Sequence, residues 1–249
     1  MSASNSLKVQ LFCDGAELDA IRTMAANPLI KGFTTNPTLM HKAGVIDYAA
    51  FAKEALSIVG DRSISFEVFS DDFPTMEREA RVIASWGGNT YVKIPVTNTK
   101  GESSASIIRK LSSDGIALNV TAILTLDQVR EVGAALSSGV PSIVSVFAGR
   151  IADTGVDPVP LMTEAARILR PCAGAELLWA SPRELLNVFQ ADQCGCHIIT
   201  ATPDLLGKLS LVGKDLTDYS LDTVKMFYSD AKAAGYRLVE PVTSPATVP

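Results

Sequence analysis

Histidine is nearly missing from this chain: His41 and His197 are the only two among 249 residues, and neither lies in an HExxH or similar ligand pattern. A histidine-based metal site or catalytic triad is therefore a poor starting point. Cysteine is scarce as well. Cys13, Cys172, Cys194 and Cys196 form no CxxC pair, and the CxC beside His197 lacks the second half of a zinc site, so reduced, mostly buried thiols are expected. There is no block of lysines and arginines, and the formal net charge is -5. Both argue against a nucleic-acid partner and for a small-molecule ligand. No apolar run approaches the roughly 20 residues of a membrane span. The opening MSASNSLKVQ lacks the apolar core of a secretory signal, so no membrane partner and a cytoplasmic location are expected. Also absent are a GxGxxG turn after the first strand-like run and a Pro-, Gly- or Ser-rich linker dividing the chain.

What is present is a repeat of short apolar runs and amphipathic stretches. The hydrophobic fraction is 47% and the charged fraction 20%, as in a chain with a sizeable core. VQLFCD, KGFTT, SISFEVF, TYVKIPV, ALNVTAI, SIVSVFA, ELLWAS and HIIT read as strands, each followed by helical spacing. In PTMEREARVIASW, Met76, Ala80, Ile83 and Ala84 share a face, and Asp72 before Pro74 marks a helix start. Eight strand-helix units in a row predict an α/β fold, a (β/α)8 TIM barrel of parallel strands, over a doubly wound open sheet. The expectation is a single TIM-barrel domain over residues 1–249: barrel at about 8–210, an additional C-terminal helix at about 219–235, and a mobile tail at about 239–249. On that helix Val224, Phe227, Tyr228 and Ala231 fall on one side.

The stretch NTYVKIPVTNTKG puts Lys93 between Val92 and Ile94, just before Pro95. Burial disfavours an ammonium group and so supplies a neutral, nucleophilic amine for Schiff-base chemistry. The plainer alternative is a lysine near a strand end whose stem carries its charge to solvent. Barrel active sites collect residues from the C-terminal ends of several strands. Those ends carry Asp14, then Thr34, Thr35 and Asn36, then Glu67, Lys93, Asn119 with Thr121, Ser145 with Arg150, and Ser181 with Arg183. A carboxylate and a lysine on adjacent buried strands form either a structural ion pair or a catalytic one. In the catalytic case the amine attacks a ketone, a carboxyl group and a water move protons, and the iminium accepts electrons during carbon-carbon cleavage. Asp14 is a second proton-transfer candidate. Arg150, Arg183 and Ser181 suit a phosphate monoester, although arginines after strands also simply meet solvent.

The motifs GFTTNPTL and YVKIPVT, with LNVTAILT, SVFAGRIAD and ASPREL, resemble the transaldolases, in particular the short branch that includes fructose-6-phosphate aldolase; the resemblance runs from about Gln10 to Leu209. It implies Lys93 as the Schiff-base lysine and Asp14 and Glu67 as acid-base carboxylates, with Thr121 holding the catalytic water. Asn36 and Ser145 would contact the dihydroxyacetone unit with Asn119 nearby, and Arg150, Ser181 and Arg183 would bind phosphate. Thr34 and Phe147 complete the substrate-binding set. No metal and no organic cofactor are implied. Sugar phosphates are the implied small-molecule partners, and a homo-oligomer, a pentamer or decamer assembled through the C-terminal helix, is the implied assembly.

The aldolase branch typically has Gln where Glu67 stands and Tyr where Phe147 stands, so the resemblance favours transfer of a three-carbon unit over release of free dihydroxyacetone. The chain departs from the common Ser-Phe-Arg at Ser181, Pro182 and Arg183 and from Pro-Phe at Val146 and Phe147. A specialised transaldolase building an unusual sugar therefore stays open. So does a barrel that binds sugar phosphate without catalysis.

Overall fold

The computed structural model describes residues 7–87 and 89–238. Eight parallel strands close in sequence order: β1 (Gln10–Asp14), β2 (Ile30–Thr34), β3 (Ser63–Glu67), β4 (Thr90–Pro95), β5 (Leu118–Ile123), β6 (Ser142–Val146), β7 (Ala175–Trp179) and β8 (Ile198–Ala201). The closing seam pairs Gln10 to Cys13 on β1 with Ile198 to Ala201 on β8. This is the expected TIM barrel, with strand ends within a residue or two of the apolar runs.

Alternation along each strand divides the apolar residues between two cores. Outward-facing Leu11, Phe66, Val92, Ile94, Val120, Val144, Leu177 and Trp179 join one large cluster beneath the helices. Inward-facing Phe12, Ile143, Leu178, Ala180 and Ile198 form a smaller one inside the barrel, with Tyr91 and Phe147 against it. Each large side chain so buried contributes about 1.5–3 kcal/mol. Glycine in β2 has a specific reason: a Cβ on Gly32 would lie 2.5 Å from the ring of Phe12. The missing side chain lets that ring plug the interior.

Helices between the strands are α1 (Leu18–Ala25), α2 (Pro37–Lys42), α3 (Tyr48–Val59), α4 (Phe73–Ala84), α5 (Ala105–Ser113), α6 (Leu126–Ala135), α7 (Ala148–Asp153), α8 (Pro158–Leu169) and α9 (Leu186–Gln193). Their starts are written locally. Asn36, Asp47, Asp72, Thr125 and Asp157 each accept a backbone N–H of the first turn, a contact worth about 1 kcal/mol. Asp72 is the cap its position before Pro74 predicts, and Met76, Ala80 and Ile83 are the buried face of α4.

After β8 come α10 (Pro203–Gly207), a 3-10 turn (Lys208–Leu211) and α11 (Leu216–Ala233). The last helix starts three residues earlier than expected because Asp215 caps it, accepting from Thr217 and Asp218. None of its residues is buried, and Leu216, Val224, Phe227 and Tyr228 are exposed. The expected tail at 239–249 lies outside the described residues. Among the described residues no helix is long and apolar enough to cross a membrane.

Candidate active site

The C-terminal mouth of the barrel holds a cavity of about 500 Å³. Eleven of the twelve expected residues line it: Asp14, Thr34, Asn36, Glu67, Lys93, Asn119, Thr121, Ser145, Phe147, Arg150 and Ser181. Arg183 does not.

Register builds the floor. Glu67 pairs with Lys93 across β3 and β4, and Lys93 with Asn119 across β4 and β5, so three polar side chains enter the barrel side by side. The Lys93 Nζ is 3.0 Å from Glu67 Oε2 and donates to the Thr35 carbonyl at 2.7 Å. Its side chain is 8% exposed and that of Glu67 17%. The lysine therefore does not carry its charge to solvent, as the plainer sequence reading had it. Instead its ammonium is held inside by an anion and a carbonyl.

Glu67 is gripped from behind. The phenol of Tyr48, at the start of α3, accepts the Glu67 N–H at 2.8 Å and donates to the Glu67 carbonyl at 3.0 Å. Phe66, Phe69 and Trp86 surround that ring, with centroids 4.5–6.0 Å away. Asn119 is fixed as well, donating to Ser65 Oγ at 3.0 Å and accepting from Ser145 Oγ at 2.6 Å.

Asp14 is held by neutral donors. Thr34 Oγ1 donates to one carboxylate oxygen at 2.7 Å, and Asn36 Nδ2 approaches the other at 3.4 Å. Asn36 has a fixed orientation because its carbonyl oxygen caps α2 through the Leu39 N–H. Burial pushes the Asp14 carboxyl above its ordinary value, against the opposing pull of Lys93 and the Thr34 hydrogen bond; the Glu67 charge adds to the rise. Two carboxylates thus face one amine in unlike surroundings, which equips them for different proton-transfer tasks. Beside Asp14, the thiol of Cys13 is pushed up to about 12, chiefly by burial, and a thiol so protonated is inert.

Backbone irregularities shape the walls. A register shift between Val120 and Ile123, with Ala122 at φ 62°, lets both Thr121 and Ala122 reach the cavity. Ser181 has φ 56°, a conformation costing on the order of 1–3 kcal/mol outside glycine. It lies against the first turn of α7, where a Cβ on Gly149 would come 1.6 Å from the Ser181 carbonyl oxygen.

The two arginines differ. The Arg150 guanidinium lies 5.4 Å from the Phe147 ring centroid at the cavity wall. Arg183 forms a two-point ion pair with Asp153, Nε donating to Oδ1 at 2.9 Å and Nη2 to Oδ2. It is half exposed, with its guanidinium taken up by this carboxylate.

Sequence reasoning missed Ser65, Tyr48, Asp153 and Thr200. Thr200 lines the cavity from β8, and a hydroxyl among the inward residues of HIIT was its only signal. The CGCH segment lies at the opposite end: His197 Nδ1 accepts the Leu177 N–H at 3.0 Å, and Cys194 and Cys196 are buried free thiols. Among the described residues no three histidine, cysteine, aspartate or glutamate side chains come together in a way that can hold a metal ion.

Comparison with known proteins matches residues 11–238 of the chain to a family described as Transaldolase/Fructose-6-phosphate aldolase. A protein named "Probable transaldolase" from Thermoanaerobacter sp. (strain X514) is 35% identical over 231 residues, covering 92% of this chain and 100% of that one. Its namesake from Roseiflexus castenholzii (strain DSM 13941 / HLO8) is 37% identical over 226 residues, covering 90% and 98%. Among solved structures, 2,3-dimethylmalate lyase, a PEP mutase/isocitrate lyase superfamily member, aligns with a TM-score of 0.51 at 13% identity, over 98% of this chain and 89% of its own. That likeness shows the fold alone.

Proposed function

The chain belongs to the transaldolase/fructose-6-phosphate aldolase family of enzymes, and from that membership we propose that it transfers a dihydroxyacetone unit from a ketose phosphate, fructose 6-phosphate or sedoheptulose 7-phosphate, to an aldose phosphate. The observation that carries the reading is the buried Lys93–Glu67 pair beside Asp14 at the floor of the cavity.

The Lys93 ammonium gives up a proton and its Nζ attacks the ketose C2 carbonyl. Glu67 is the nearest base, and with Thr121 it holds the water that carries protons to and from the carbinolamine. Loss of water leaves an iminium. Asp14 then takes the proton of the C4 hydroxyl as the C3–C4 bond breaks, the bond's electron pair moves into the iminium, and the first aldose phosphate departs. A three-carbon enamine stays on Lys93. When an acceptor aldehyde arrives, the enamine carbon attacks it, Asp14 returns the proton to the new hydroxyl, and water releases the product. A carboxyl that burial has made a better proton acceptor suits this reciprocal duty. Arg150, Ser181 and Arg183 receive the phosphate, while Thr34, Asn36, Asn119, Ser145 and Phe147 line the sugar's path.

Borohydride trapping after incubation with fructose 6-phosphate, followed by peptide mapping, tests this. A reduced three-carbon adduct on Lys93 is expected. Sugar-phosphate binding without an adduct would leave a non-catalytic barrel.

Release of free dihydroxyacetone is the second reading. Glu67 and Phe147 favour transfer over it: a carboxylate exchanges a proton through water whereas glutamine does not, and phenylalanine adds no phenol to the relay. Product analysis with and without an aldose phosphate acceptor separates the two. Assembly through α11 is part of the proposal and is supported by the exposed apolar residues of that helix. Light scattering of the intact chain reads the oligomer size.

A further inference from the structure

Thr200 belongs to no role assigned above. It lies on β8, paired in register with Phe12 of β1, 166 residues along the chain from Thr34, yet the two threonine hydroxyls are 2.6 Å apart and both residues are buried. Thr34 in turn donates to Asp14 at 2.7 Å. A merely space-filling role is open to valine, which has the same shape, so the hydroxyl is the feature that needs a reason.

Proton counting supplies one. A hydroxyl has one proton to donate. When Asp14 is ionised it only accepts, so the Thr34 proton is committed to it and Thr200 must donate to Thr34. When Asp14 carries a proton on that oxygen, it donates to Thr34, Thr34 donates to Thr200, and the Thr200 proton turns to the cavity. Both states use the same heavy atoms in the same places, and neither leaves a buried hydroxyl without a partner.

We propose that Thr200 is a positioning residue for Asp14, acting through Thr34: the Thr200–Thr34–Asp14 chain reverses direction each time Asp14 takes up and returns a proton. The proposal deepens the transaldolase reading and rests on it for the timing of proton transfer. The hydrogen-bond chain itself is a matter of geometry. The charged groups whose fields reach Asp14 are Lys93 on β4 and Glu67 on β3; Cys13, its neighbour on β1, feels the charge of Asp14 in return. Thr34 and Asn36 approach it as neutral donors. Thr200 is the residue that faces this group from β8.

The test compares Thr200→Val with Thr200→Ser. Loss of the Thr200 donor weakens the chain that stabilises ionised Asp14, so the valine variant is expected to move the acid limb of the pH–kcat profile to higher pH. Its kcat should fall roughly threefold to tenfold, the effect of one neutral hydrogen bond. KM for fructose 6-phosphate and borohydride trapping on Lys93 should be unchanged, and the serine variant should restore the limb. If Thr200→Val does not fold, Thr200→Ala is compared with Thr200→Ser in its place. The Asp14 carboxyl titration, followed by 13C NMR on labelled protein, reads the same upward shift without turnover. A wild-type titration in the hydroxyl-free variant overturns the proposal whether or not the chain transfers a three-carbon unit, and so does a serine variant that behaves like the valine one. Absence of a Lys93 adduct in the wild-type protein overturns the transaldolase reading instead.

Discussion

The lysine side and the arginine side of the cavity are built differently. On the first, Lys93, Glu67, Asp14 and Asn119 come from four strands, β4, β3, β1 and β5, shielded from water and each tied to a named neighbour. On the second, Arg150 and Arg183 sit on or beside helical turns after β6 and β7, exposed, one resting near an aromatic ring and the other on Asp153. The difference suits the tasks proposed for the two sides. Proton transfer and imine formation need groups desolvated and aligned before substrate arrives. Phosphate recognition needs cations that can be reached and that give up a modest partner on contact, as a solvent-exposed ion pair worth about 0–1 kcal/mol does.

The sharpest way to break the comparison is Lys93→Arg. A guanidinium keeps the positive charge but cannot form the imine, so transfer should fall to background and the borohydride adduct should vanish while phosphate binding persists. Glu67→Gln comes next: it removes the proton acceptor 3.0 Å from the amine, and kcat should drop by roughly 10²–10⁴ with KM little altered in steady-state assays.

The arginine side should show the opposite split. Arg150→Ala removes a charge-assisted contact, and KM for fructose 6-phosphate should rise by roughly tenfold to a hundredfold with a smaller change in kcat. Gly149→Ala probes the backbone under the same region. Its new Cβ cannot coexist with the Ser181 carbonyl 1.6 Å away, so Ser181 must move. KM should rise with an accompanying loss of melting temperature.

The smallest effect expected is in stability. The Asp14 carboxyl is raised in the fold, so the folded chain holds that proton more tightly than the unfolded one. Folding therefore loses stability as pH rises from the ordinary carboxylate range through the folded value. Asp14→Asn removes the group, and although activity is lost the variant should melt slightly higher at pH 8, by about 2–4 °C for each kcal/mol recovered. The gain should close as the pH falls towards 4. An unchanged difference across that range would show that ionisation of Asp14 is not its source.

Legibility along the sequence varies with the range of the interactions concerned. Asp72 before Pro74 announced α4 because capping involves residues three apart. The α11 start was placed late because the Val224–Ala231 stripe marks only its middle, while Asp215, its cap, stands in a polar run. The ion pair of Arg183 with Asp153 leaves no sign in the sequence, because the two residues stand 30 positions apart. Tyr48 carries no signal of its own in the sequence; that its phenol grips Glu67 depends on how α3 lies against β3.

By itself, then, the sequence determined the eight strand-helix units and the inward phase of the polar strand-end residues, because period-two and period-3.6 patterns are local and burial enforces them. Only tertiary closure decided which polar groups meet. The β8–β1 seam joins Thr200 to Thr34 and so to Asp14, and the bulge after Val120 brings Ala122 to the cavity beside Thr121. Such contacts depend on register between strands far apart in the chain, and hydrophobic periodicity is the same in every register that keeps the apolar faces buried.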